Sequence, residues 1–143
     1  MKQIKTEILI NAPIEKIWAV LTNVTYYPSW NPFITNIDGD TAANKKIKVT
    51  VKPAGQKPMT FKAHVITKTN YEFVWLGGLA IPGIFNGRHQ LCLEAVAPNV
   101  VKLIHNEVFS GVLSGLIFAW IGKSTKEGFN NMNQALKQRC EAA

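Results

Sequence analysis

The chain has 143 residues, 47% hydrophobic and 17% charged, with a formal net charge of +7. That length suits a single domain, residues 1–143, which on folding buries roughly two-thirds of the surface its unfolded chain exposes. The composition excludes a disordered or fibrous chain, and no internal repeat or low-complexity stretch divides it.

The charged N-terminus, Met1-Lys-Gln-Ile-Lys-Thr-Glu-Ile, lacks the apolar core and cleavage site of a signal peptide, so a cytoplasmic protein is expected. Residues 3–10 set Ile4, Thr6, Ile8 and Ile10 against Lys5, Glu7 and Leu9, which predicts a strand. Asn11-Ala-Pro13 opens a helix in which Ile14, Ile17, Trp18 and Leu21 recur at helical spacing until about residue 22. With two prolines and four aromatic rings, residues 24–33 are too broken for a long helix; a short helical turn and a packed loop fit better. In this company Trp18 reads as core, while Tyr26 and Tyr27 fit either a cavity mouth or the underside of the first helix.

Strands follow at 34–39, 46–52, 59–68 and 71–77. In the second, Ile47, Val49 and Val51 alternate with Lys48, Thr50 and Lys52; in the third, Met59, Phe61, Ala63 and Val65 share a face and His64 points to solvent. Tyr71, Phe73 and Trp75 share a face of the fourth. Residues 77–87, Gly-Gly-Leu-Ala-Ile-Pro-Gly-Ile-Phe-Asn-Gly, combine apolar side chains with a permissive backbone and read either as a lid over a cavity or as a packed connection. Strands 87–96 and 100–109 form a hairpin around Ala97-Pro98-Asn99, and hairpin connections of this kind make an antiparallel sheet.

Residues 113–140 form the last element, a helix about 40 Å long. At helical periodicity Leu113, Ile117, Trp120, Ile121, Met132 and Ala135 cluster on one face, with Phe118, Phe129 and Leu136 on its flank. Asn133 falls on the opposite side with Lys123, Lys126, Asn130 and Lys137. Ser124, Gly128 and Asn131 interrupt the buried stripe, as a cavity beneath the helix would explain; close packing of Gly128 against a strand is the alternative. The apolar run 111–122 is too short to cross a bilayer, which takes about 20 residues.

Polar residues mark the inner face of the hairpin. Lys102 and Asn106 belong outside, so Val101, Leu103, His105, Glu107 and Phe109 point inward; by the same parity His89 and Leu91 are inside, and His89 pairs with His105 or Glu107. Such a carboxylate–imidazole set serves proton transfer, or forms a satisfied pair that orients a ligand. It is not expected to hold a metal, and no cofactor is implied. Trp30, Trp75 and Trp120 suit a cavity wall. Cys92 and Cys140 form neither a disulfide framework nor a zinc pattern. Seven lysines between Lys45 and Lys68, with no Asp or Glu between Asp40 and Glu72, form a basic face. Without an aromatic platform or Arg-rich reader it is not expected to bind nucleic acid, but it is open to a protein partner.

Several motifs carry a resemblance over nearly the whole chain: Ala12-Pro-Ile-Glu-Lys-Ile-Trp18, Tyr27-Pro-Ser-Trp-Asn-Pro-Phe33, the Trp75 strand, Phe85-Asn-Gly-Arg-His89 and His105-Asn-Glu-Val-Phe-Ser-Gly111. With this element order, the chain resembles the START-like (SRPBCC) superfamily, close to its polyketide cyclase/dehydrase and lipid-transport group. The resemblance implies an α+β helix-grip fold, a curved antiparallel sheet wrapped around a long C-terminal helix with an internal cavity. It implies binding or transport of a small hydrophobic, lipid- or polyketide-like ligand. Alternatives are a cyclase or dehydratase using His105 and Glu107, and an interaction module resembling a chaperone-ATPase activator. The expected cavity residues are Trp30, Phe61, Phe73, Trp75, Phe85, His89, Leu91, His105, Glu107, Phe109, Ile117, Trp120, Ser124, Gly128 and Asn131.

Overall fold

The computed structural model describes residues 2–78 and 83–142. Seven strands form one antiparallel sheet in the order β1-β7-β6-β5-β4-β3-β2: β1 (Lys2–Ile10), β2 (Ile34–Asp38), β3 (Lys46–Val51), β4 (Met59–Thr69), β5 (Glu72–Gly78), β6 (Asn86–Ala97) and β7 (Val100–Ser110). Every sequential pair from β2 to β7 is a neighbour, and β1 closes onto β7. The β1–β2 connection must therefore cross the whole sheet. It does so with α1 (Ile14–Thr22), a 3-10 turn (Val24–Tyr26) and α2 (Tyr27–Trp30).

Register shifts at 34/36 in β2, 65/67 in β4 and 95/97 in β6 mark bulges, which bend strands and raise their twist, so the sheet curls around α3 (Ser114–Glu141). Tyr27 is fully buried and its hydroxyl donates to the Leu21 carbonyl, fastening α2 beneath α1, whereas Tyr26 is exposed. The Asn31 side-chain oxygen accepts from the backbone N–H groups of Phe33 and Ile34 at 3.0 and 2.9 Å. This turn delivers the Phe33 ring to the core at the entrance to β2.

The helix α3 faces the sheet differently from the sequence expectation. Its buried line is Ile121, Gly122, Thr125, Gly128, Phe129, Met132, Asn133, Leu136 and Cys140. Phe129 and Leu136, read as flank, are central, while Trp120 and Leu113 are exposed, Ala135 is half-buried and Asn133 is turned in. The aromatic and polar anchors of the C-terminal half set the rotation. Among the described residues no helix is long and apolar enough to cross a membrane. Residues 79–82, within the segment read either as a lid or as a packed connection, lie outside the described residues.

The C-terminal half of α3 is held chiefly by Phe129, fully buried with its ring stacked on His105 at 3.8 Å between centroids and edge-on to Phe33 at 5.2 Å. Phe129→Ala is expected to lower unfolding free energy by about 3–5 kcal/mol, the usual cost of deleting a core aromatic ring, read from urea denaturation.

Candidate functional site

On β6 and β7 the register pairs His89 with Glu107 and Leu91 with His105, so His89 takes one of the two partners that strand parity allowed. All of Val101, Leu103, His105, Glu107 and Phe109 are buried on the inner face, as expected. One row further along, Gly77 of β5 faces Gly87 of β6. Two adjacent strands thus carry no side chain at the same level of the inner face. A Cβ on Gly87 would run into the Glu107 carboxylate, and one on Gly77 would lie 2.7 Å from the Phe61 ring. The paired glycines make room for those two groups and leave a hollow under the N-terminal half of α3.

That hollow is a cavity of about 220 Å³, room for roughly seven waters at liquid density. Trp75, His89, Glu107 and the two glycines form its floor, with Phe33, Phe61, Phe85 and Phe109 as walls. Ile117, Trp120, Ile121 and Thr125 of α3 cover it, and Val51, Pro53, Met59, Thr60 and Gly78 complete its edge. Almost all of this surface is hydrocarbon. The charged or imidazole groups it meets are those of His89 and Glu107. Thr125 is buried, and its hydroxyl has no hydrogen-bond partner among the described residues.

Behind the floor runs a buried chain of hydrogen bonds. The Asn133 amide nitrogen donates to Thr6 Oγ1 at 2.8 Å, and that hydroxyl donates to the His105 carbonyl at 3.3 Å. Asn133 Oδ1 therefore accepts from His105 Nδ1–H at 2.9 Å. Complete burial, with the neighbouring His89 adding to it, holds the His105 pKa well below 6.5 despite the bond to Asn133, so the ring is neutral. Its single proton is on Nδ1, and its Nε2 lone pair accepts from His89 Nε2–H at 2.8 Å. His89 then meets Glu107 Oε1 through Nδ1 at 3.3 Å. That contact needs a proton, carried either by an imidazolium or by a carboxylic acid. Turning the Asn133 amide over reverses the donors from Asn133 to Glu107 and leaves an ionised Glu107 accepting from a neutral His89, but Thr6 must then donate to Asn133 Oδ1 and gives up the His105 carbonyl. The network thus has two arrangements that differ by one proton, of which the first also keeps the Thr6 bond to the His105 carbonyl.

Ring stacking fixes both imidazoles. His89 lies flat on Trp75, 4.6 Å between centroids and 2° between planes, and His105 lies on Phe129 at 4°. Their Nε2 atoms point at each other, not at a shared vacancy. Among the described residues no group of three or more His, Cys, Asp or Glu side chains is disposed to hold a metal ion.

Of the residues expected to line a cavity, Phe61, Trp75, Phe85, His89, Glu107, Phe109, Ile117 and Trp120 meet this one, although Trp120 stands at its mouth and is 69% exposed. The others correct the expectation. His105 lies behind His89 and reaches the cavity only through it. Phe73 and Leu91 are fully buried in the core away from the hollow, and Trp30 packs edge-on to Tyr27 at 5.3 Å. Gly128 abuts the Phe33 ring, leaving no space for a Cβ, so its small size serves close packing and not a cavity. Ser124 is half-buried, its carbonyl accepting from Ala54 N–H at 3.1 Å, and Asn131 is exposed on the far side of the helix. Phe33, Thr125, Gly77, Gly87 and Asn133 were missed. Parity did carry a signal for the glycines: continued from Trp75 and His89, it puts Gly77 and Gly87 on the inner face.

A family model described as polyketide cyclase / dehydrase and lipid transport matches residues 1–141. No curated protein matches the sequence. Solved structures share the fold at low identity. The START superfamily protein from Mycobacterium smegmatis superposes with a TM-score of 0.74 at 17% identity, over 97% of both chains. Norcoclaurine synthase from Thalictrum flavum, in complex with dopamine and hydroxybenzaldehyde, gives 0.71 at 14% identity over 96% of this chain and 85% of that one. The di-domain ARO/CYC BexL from the BE-7585A biosynthetic pathway gives 0.73 at 16% over 96% of this chain, which spans only 46% of that protein.

The neutral state of His105 has a consequence for stability. Unfolded, this imidazole takes a proton near pH 6.5, whereas the folded protein resists protonation until well below that value. Unfolding therefore binds a proton in that window, and stability falls as pH drops below 6.5. Urea midpoints measured from pH 7.5 down to pH 5 should show this loss, and His105→Phe should flatten it; an unchanged slope in that variant would assign the effect elsewhere.

Proposed function

The chain belongs to the polyketide cyclase / dehydrase and lipid transport family, and from that membership we propose that its cavity binds one small, mostly apolar ligand carrying a hydroxyl or carbonyl group. The observation that carries this reading is an oily cavity whose polar contacts are few and convergent: the His89–Glu107 pair in its floor and the unpartnered Thr125 hydroxyl in its cover. A cavity of about 220 Å³ suits a small fused-ring or short-chain molecule, and the aromatic walls favour a flat one. Norcoclaurine synthase, of the same fold, holds dopamine and hydroxybenzaldehyde, aromatic molecules with hydroxyl groups.

Calorimetric titration with 2-naphthol and with naphthalene tests the reading. A hydrogen bond to a charged group contributes about 1.5–3 kcal/mol, so 2-naphthol should bind at least about tenfold more tightly. Glu107→Gln should shrink that margin. Failure of both compounds to bind, or equal affinities for the two, would sink the proposal.

One observation favours a second reading, acid–base chemistry on an enolisable substrate. The buried relay presents a proton to the cavity at His89–Glu107 and has a second arrangement in which Glu107 is an acceptor. In this reading Glu107 and His89 exchange protons with the substrate, while His105 and Asn133 set the tautomer. In heavy water the protein should then accelerate deuterium uptake at the α-carbon of 2-tetralone, followed by NMR, and Glu107→Gln should abolish the acceleration. An exchange rate equal to that of buffer alone would remove this reading.

A further inference from the structure

Residues 111–122 carry no charged side chain, yet the outward part of this segment is uncovered. Val112, Leu116 and Trp120 are 79%, 72% and 69% exposed; Leu116 and Trp120 lie four apart on one face of α3 and Val112 precedes them in the turn that leads into it, so an apolar line runs along the start of the helix. One step round the helix, Ile117 and Ile121 face the cavity, and Trp120 itself stands at the mouth. Large apolar side chains in a continuous exposed line are uncommon on a monomer and mark a surface meant to be covered.

Lysines gather on the other face of the strands that wall the cavity. On the outer face of β3 and β4, Lys48 pairs directly with Lys62, placing like charges opposite each other, and Lys46 lies across from His64. These four side chains line an outer groove that shares Thr60, Phe61, Gly77 and Gly78 with the cavity. Asp38 is the cross-strand neighbour of Lys48 but forms no ion pair with it among the described residues. On α3 the apolar line is followed at once by exposed Lys123 and Lys126.

We propose that this mouth docks onto an anionic lipid bilayer, with Val112, Leu116 and Trp120 entering the headgroup region and the lysines meeting lipid phosphates. A short apolar helix face with a tryptophan, bordered by lysines, has the chemistry of an interfacial helix. A second copy of the chain is the poorer occupant, since a symmetric contact around this mouth would bring its lysines together on a protein already at +7. Docking in this orientation turns the cavity opening towards the lipid phase, from which an apolar ligand can enter without crossing water.

Co-sedimentation with vesicles tests the docking, using phosphatidylcholine mixed with phosphatidylglycerol and phosphatidylcholine alone. The wild-type chain should partition onto the mixed vesicles at least about tenfold more strongly, and added salt should weaken it. Trp120 emission should shift to the blue on binding, a shift lost in Trp120→Phe. Val112→Glu combined with Leu116→Glu, at exposed positions outside the cavity lining, should abolish sedimentation while leaving the thermal midpoint and 2-naphthol affinity unchanged. Loss of 2-naphthol binding in the wild type would overturn the cavity reading alone. The docking fails if neither vesicle retains the protein or if the double variant binds as well as wild type. It also fails if sedimentation velocity shows a dimer that the double variant dissolves, which would give the apolar line to a second copy.

Discussion

A buried hydrogen-bond chain from Glu107 through His89, His105 and Asn133 to Thr6 joins β7, β6, α3 and β1. Behind the cavity floor, from His105 through Asn133 to Thr6, its polar atoms are out of reach of water, so each must find its partner within the protein, and an unmade bond costs about 1–3 kcal/mol. Few rotations of α3 satisfy that demand. Asn133 has to face the sheet, and with it come Phe129 and Met132 on one side and Leu136 on the other. The hydrophobic contacts would tolerate a modest roll of the helix; the hydrogen bonds would not. Polar specificity here selects the packing from which most of the burial energy then comes.

The same chain separates two functions along α3. Its C-terminal half is closed against β1 and β7, with Phe129 stacked on His105 and Gly128 drawn against Phe33. Its N-terminal half lies over the glycine row, where the sheet offers no side chains to meet it, and a cavity results. His89 stands at the division. One face of its ring lies on Trp75, one nitrogen meets the neutral His105, and the other meets Glu107 at the cavity floor. A polar network anchored in the rigid half thereby reaches the edge of the hollow half.

How much of this was legible in the sequence depended on the range of the interaction involved. Strand alternation is local and has period two, so β1, β3, β4 and the β6–β7 hairpin, with His89, His105 and Glu107 inward, followed from residue order. The resemblance supplied the curl of the sheet around the last helix. The rotation of α3 did not follow, because residues 111–122 are apolar almost all round and drew the predicted stripe toward Trp120 and Leu113. Apolarity there reports two different surroundings, the cavity on one side and open surface on the other. The C-terminal half, where Phe129, Met132, Leu136 and Cys140 alternate with charges, held the correct phase. Asn133 was read as solvent-facing because an amide in isolation is polar; its partners lie 28 and 127 residues away, and no local pattern announces them.

The glycines show the same limit from the other side. Gly77 and Gly87 are the residues at which the predicted strands 71–77 and 87–96 meet the 77–87 connection, a segment rich in residues that break structure, and composition alone gives them no role beyond that junction. Both are in strands, paired with each other across β5 and β6. Their role is the absence of a Cβ at a level where the facing elements bring large groups, the Phe61 ring and the Glu107 carboxylate. Replacing either glycine with a larger residue would fill the hollow from its floor or drive those groups into it, so the cavity depends on two missing side chains as much as on those that line it. A pocket made this way is bare of side chains next to His89 and Glu107, so the polar part of an occupant would meet that pair and its apolar part the aromatic walls.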